Sequence, residues 1–176
     1  MIRAVLLALL LAGPTAAQVP EPHGYRGEPY RAPVPATLQG ATVIDGPQAI
    51  RLHGEGVPFL DVLPRKTRPE GLPEGTIWRE PVHETIPGAV WLWDTGYEAL
   101  VPAEQARLER GLAEASKGDP AAPLVIFCRS DCWMSWNAAR RAVALGHTAV
   151  HWFPGGIEDW QAAGGAPLVR AIPADP

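Results

Sequence analysis

The chain has 176 residues, 47% hydrophobic and 19% charged, a balance that suits one packed domain with extensions rather than two full domains. Its formal net charge is −4 and its Lys and Arg residues form no run, so no nucleic-acid partner is expected, nor binding to an anionic membrane surface. The 20 prolines and 18 glycines show no internal period, which excludes a repeat protein and points to long ordered loops or an extended arm.

Taken in chain order, residues 1–17 have the make-up of a cleaved secretory signal peptide. Arg3 gives a basic start, Ala4 to Ala12 form a short apolar run, and Thr15-Ala16-Ala17 offer small residues for cleavage. That run is too short to span a bilayer, so no stable membrane insertion is expected. The expected location is periplasmic, a compartment in which a nearby pair of cysteines can be oxidised. Residues 18–40 (QVPEPHGYRGEPYRAPVPATLQG) carry prolines and polar groups without helical period. They predict an extended arm over the domain, with Tyr25 and Tyr30 as anchors, or else a disordered segment.

From residue 41 to 170 the pattern becomes that of a folded α/β domain, followed by a tail over 171–176. Thr42-Val43-Ile44 predicts a strand, and Asp45 caps a short helix over Pro47 to His53. Val57 to Val62 is an apolar run of strand length. Pro64 to Pro87 holds five prolines and both charge signs, and predicts a long loop. Ala89 to Trp93 predicts a strand, Pro102 to Lys117 a helix stopped by Gly118, and Leu124 to Phe127 a strand running into Cys128. A helix over Ser135 to Leu145, a strand over Thr148 to Phe153 and a helix over Ile157 to Ala163 complete the series. Such alternation implies a parallel central sheet flanked by helices on both faces, with the functional site beyond the C-terminal ends of the strands.

Cys128 lies at such an end. Strand, tight loop and helix start would surround its sulfur with amides and the positive end of a helix, which lowers a thiol pKa and favours anions. A thiolate there can attack a sulfane sulfur and hold it as a persulfide, whereas a buried structural cysteine is the plainer alternative.

Several stretches resemble the rhodanese family, in the family's order. Phe59-Leu60-Asp61-Val62 is similar to its "LDVR" strand, Ile86-Pro87-Gly88-Ala89 to its "HIPGA" turn, and Gly155-Gly156 through Trp160, Gly164 and Pro167 to its closing signature. The strand, cysteine, loop and helix with Ala138 and Ala139 resemble the active-site segment. The resemblance implies a rhodanese-like fold with Cys128 as sulfur acceptor and a thiosulfate sulfurtransferase-like activity. The anion-binding loop would comprise Arg129, Ser130, Asp131, Trp133, Met134 and Ser135, with Asp61 and Arg65 supporting it or simply forming an ion pair. Two departures stand out: Met134 takes the place of the loop's closing Arg, and Thr85 that of a frequent His. Both the missing Arg and Asp131 count against fast sulfur transfer.

The second cysteine, Cys132, followed by Trp133, is similar to a narrower group of exported proteins with a CxxxCW motif. That group is associated with pyrroloquinoline-quinone (PQQ)-dependent alcohol oxidation, which implies a periplasmic redox or quinoprotein partner, while sulfur transfer would imply a small sulfur-containing anion. Cys132 can resolve a persulfide or sulfenate on Cys128, the pair with Met134 suits Cu(I), or a disulfide merely pins the loop. A non-catalytic binding module for a quinoprotein or transporter is the further alternative, with Trp133 and Trp136 as a docking surface. His147 and His151 have no metal-ligand spacing with other candidates; they are expected to be exposed or hydrogen-bonded, and no metal site or resident cofactor is expected.

Overall fold

The computed structural model describes residues 19–174, so the signal peptide expected over residues 1–17 lies outside the described residues. Five parallel strands form the main sheet in the order β1 (Thr42–Val43), β6 (Val150–Phe153), β5 (Leu124–Phe127), β2 (Phe59–Asp61) and β4 (Val90–Trp91). The central strand β5 is buried along its whole length, as a parallel strand covered on both faces requires.

Alternation along the strands sorts the core into two halves. Leu60, Leu124, Ile126, Val150 and Trp152 point to one face, where α2 (Pro102–Ser116) supplies Leu108 and Leu112, and α3 (Trp133–Ala144) supplies Trp136 and Ala139. Phe59, Val125, Phe127 and Phe153 point to the other, against Ala49 and Leu52 of α1 (Gly46–Gly54) and Trp160 of α4 (Gly156–Ala162). The expected α/β sheet with helices on both faces is therefore the fold of the chain.

Local chemistry fixes the element ends. Asp45 accepts the Gln48 amide at 2.9 Å while the Gln48 side chain accepts the Asp45 amide at 3.0 Å, closing a capping box on α1. Lys117, in the left-handed region at φ 54°, and Gly118 stop α2. Two differences from the sequence expectation matter for the site. Within the Pro64–Pro87 loop, β3 (Glu84–Thr85) pairs antiparallel with β7 (Val169–Arg170), tying the loop to the chain's C-terminal segment. Helix α3 starts at Trp133, two residues before the expected Ser135, because Trp133 and Met134 are buried in its first turn.

Residues 19–40 lie along α3. The Asn137 side chain accepts the Arg26 amide and donates to the Arg26 carbonyl, both at 2.8 Å, and the Trp136 indole donates to the Thr37 carbonyl at 3.3 Å. Tyr25 stacks under the Arg141 guanidinium, Tyr30 meets Tyr97 edge-on, and Leu38 enters the core. Both tyrosines thus anchor the segment. No helix among the described residues is long and apolar enough to cross a membrane.

Candidate functional site

Strand β5 ends at Phe127 and α3 begins at Trp133, leaving residues 128–132 as a tight connection at the C-terminal edge of the sheet. Cys128 and Cys132 are joined there as a disulfide, with their Cα atoms 6.4 Å apart, inside the usual range for such a bridge. Cys128 is 1% exposed and Cys132, the N-cap residue of α3, 2% exposed. The loop between them turns through Asp131, which adopts φ 51° and is exposed. Beneath the loop, Gly156 (φ +55°) lies against the Cys128 carbonyl and the Arg129 backbone so closely that a Cβ has no room.

The loop's polar groups have specific partners. Ser130 donates its amide to Glu158 Oε2 at 2.9 Å, and Arg129 donates Nε to Glu158 Oε1 at 2.8 Å. Burial opposes charge on Glu158, but these two donors together hold its carboxyl below the usual glutamate range. Trp133, in the first turn of α3, donates its amide to the Tyr30 carbonyl at 2.9 Å, and Ala32 donates to the Asp131 carbonyl at 3.1 Å. Residues 30–32 therefore close over the loop, with Arg31 bridged to Cys132. The Ser135 hydroxyl donates to the Cys132 carbonyl at 2.9 Å and accepts the Trp152 indole at 3.1 Å.

This differs from the amide cradle expected around Cys128. Two of its donors are used inside the protein, one by a carboxylate and one by the arm. Arg129 faces Glu158 rather than standing in for the missing loop Arg. Met134 is buried, its Cβ and backbone against Gly96, and Ser135 is a buried link between loop and sheet. Trp133 and Trp136 pack edge-on at 5.5 Å between centroids and are 4% and 0% exposed, so they form no surface platform. The Trp133 indole Nε1 is buried without a hydrogen-bond partner.

Asp61 and Arg65 do not meet each other or the loop. The fully buried Asp61 carboxylate accepts the Leu63 amide at 2.9 Å and the Thr85 hydroxyl at 2.7 Å, and His83 Nε2 lies 2.7 Å away. It thus fastens β2 to the β3 segment. Arg65 makes a bidentate pair with Glu80, at 2.7 and 2.9 Å. His147 and His151 are neither exposed nor satisfied: each has a buried Nδ1 without a partner, and burial pushes both imidazoles down in pKa. Sequence reasoning missed Glu158, His83 and the main chain of Tyr30. None of them had a signal in the sequence: Glu158 and Tyr30 reach the cysteine loop through tertiary packing, and His83 falls in a segment that reads as a loop.

Two open clefts flank the strand ends, sharing Leu63, Pro64, Lys66 and Arg129. One, of about 350 Å³, adds His83, Trp91 and Gln161. The other, of about 540 Å³, adds Tyr30, Arg31, Tyr97, Cys132 and Met134. Cys128 lines neither.

Comparison with known families matches residues 50–163 to the rhodanese-like domain. Searches among curated proteins and solved structures give no match. The matched stretch runs from α1 to the end of α4, taking in the buried strands and the cysteine at the β5 end, and so covers more than half of the sequence. On that match, the chain belongs to the rhodanese-like domain family.

Proposed function

We propose that this is an exported accessory protein of the CxxxCW group, serving PQQ-dependent alcohol oxidation, whose Cys128–Cys132 pair performs thiol–disulfide chemistry. The observation that carries the redox part is the bridge itself. Cys128, where this family holds transferred sulfur, is already bonded to Cys132, and the Ser130 and Trp133 amides have internal partners. An anion arriving at Cys128 would have to displace Glu158 or the arm. The spacing of the loop (CRSDCW), the YRAPVP arm and the secretory-type start support the group and the exported location. In this reading the partner is a periplasmic redox protein or quinoprotein, and the mature chain begins at Gln18.

The couple moves two electrons: reduction yields two thiols and takes up two protons, and reoxidation reverses this. Equilibrating the folded protein in dithiothreitol buffers, quenching with acid and alkylating should give a single two-electron transition, with both cysteines modified together. A bridge that ordinary reductants open only after denaturation would reduce the pair to a loop pin and overturn the reading.

Sulfur transfer is the second reading, favoured by the family and by the position of Cys128 at the end of β5. Here a reduced Cys128 thiolate takes the sulfane sulfur of thiosulfate, releasing sulfite, and cyanide then takes that outer sulfur as thiocyanate, returning the Cys128 thiolate for the next turnover. Thiocyanate production from thiosulfate and cyanide by the reduced protein, abolished in Cys128→Ser, would support it. No turnover by the reduced protein removes it.

A further inference from the structure

The two cysteines of the bridge are both buried but differ in the space beside them. Cys132 belongs to the wall of the cleft of about 540 Å³, whereas Cys128 reaches neither of the two clefts at the strand ends. Attack on a disulfide needs access to one sulfur along its bond, so the cleft decides which bond partner leaves. The same cleft is asymmetric in charge. Its wall carries Arg31, Lys66 and Arg129 against one carboxylate, Glu28. Arg129 is committed to Glu158, and Glu28 accepts the Tyr30 amide at 3.2 Å. Arg31 and Lys66 are exposed and have no side-chain hydrogen bond or ion pair among the described residues. Arg31 lies opposite Cys132 through its backbone bridge and lines the same cleft. Tyr30, Tyr97, Leu63, Pro64 and Met134 supply the remaining, largely apolar wall.

We propose that Cys132, not Cys128, is the sulfur an incoming thiol attacks, and that the cleft before it selects small thiols bearing a carboxylate. The proposal rests on the thiol–disulfide reading above and names its substrate class. The volume of the cleft suits a small molecule rather than a protein surface. In the first step the thiolate bonds to Cys132 Sγ, the Cys128–Cys132 bond breaks, and its electron pair leaves on Cys128 Sγ, which takes up a proton. A second thiolate then attacks the bound thiol's sulfur, releasing the small-molecule disulfide and the Cys132 thiolate. Two small thiols are oxidised and the protein bridge is reduced. Run backwards, the same sequence lets a small disulfide oxidise the protein.

The test compares 3-mercaptopropionate, 2-mercaptoethanol and cysteamine as reductants of the full oxidised protein, with rates expressed per thiolate and corrected for thiolate basicity. The carboxylate thiol should react fastest and the ammonium thiol slowest. Lys66→Gln should cut that preference about threefold, and so should added salt, the size of effect an exposed charge contact gives. Acid quenching at partial reduction, followed by alkylation and peptide mass mapping, should find the adduct on Cys132 and the alkyl group on Cys128. The single-cysteine variants Cys128→Ser and Cys132→Ser, treated with dithiodipropionate, provide a second readout: the chain retaining Cys132 should form its mixed disulfide faster. An adduct on Cys128, or equal corrected rates for the three thiols, would overturn the proposal while leaving the redox couple standing. Failure of every thiol, dithiothreitol included, to open the native bridge would instead sink the redox reading on which it rests.

Discussion

At the scale of single residues, the site depends on groups that no other side chain can replace. Gly156 has both a positive φ and the Cys128 and Arg129 backbone against it, whereas Gly71 has a positive φ with open space around it. Gly71→Ala should therefore cost only the backbone penalty, about 1 kcal/mol. Gly156→Ala must also displace the loop and should cost roughly 2–4 kcal/mol by chemical denaturation. Equal losses in the two variants would show that the loop yields without resistance. Asp61 illustrates the opposite case, a carboxylate with no exposed surface that persists because the Leu63 amide, the Thr85 hydroxyl and His83 all converge on it. Its role is to hold the Pro64–Pro87 segment to the sheet.

Among the elements, the arm and α3 act together. Asn137 uses its carbonyl oxygen on the Arg26 amide and its NH₂ on the Arg26 and Gly96 carbonyls, the latter at 2.9 Å. Asn137→Ala leaves these backbone groups without partners and should cost about 2–3 kcal/mol. It should also speed hydrogen exchange of the Trp133 amide, whose acceptor, Tyr30, belongs to the same arm. Unchanged protection at Trp133 would show that the arm holds without Asn137. Legibility in the sequence follows the same division. Leu124–Phe127 declared itself by an unbroken apolar run and α2 by its period and Gly118, because burial and capping are local patterns. Strand β3 did not: two residues between prolines become a strand only by pairing with Val169–Arg170 far along the chain. At the site, the position of Cys128 was legible from strand, loop and helix. The partners of the Ser130 and Trp133 amides were not, because Glu158 and Tyr30 reach them through tertiary packing alone.

For the molecule as a whole, acid is the expected weakness. Burial lowers the pKa of His147 and His151 from 6.5, with Arg51 adding to the effect at His151, and each buried Nδ1 lacks a partner. The unfolded chain then binds protons at a higher pH than the folded one. Stability is full above about pH 6.5 and falls as pH drops from there through the folded-state values. Glu158, held below 4.5, contributes its own loss only at lower pH. Denaturant midpoints between pH 7.5 and 5.5 should decline in the wild type and flatten in a His147→Gln, His151→Gln double variant. An equal decline in both proteins would assign the acid sensitivity elsewhere. The arm has a further consequence, for the order in which the molecule is assembled. Arg26 is synthesised 111 residues before the Asn137 that receives it, so the first described part of the chain to emerge is among the last to find its seat. Until that seat exists, the Cys128–Cys132 loop lacks the cover of residues 30–32 and is open to a bulky oxidant such as another protein; once the arm has closed, access is left to whatever is small enough for the cleft at Cys132.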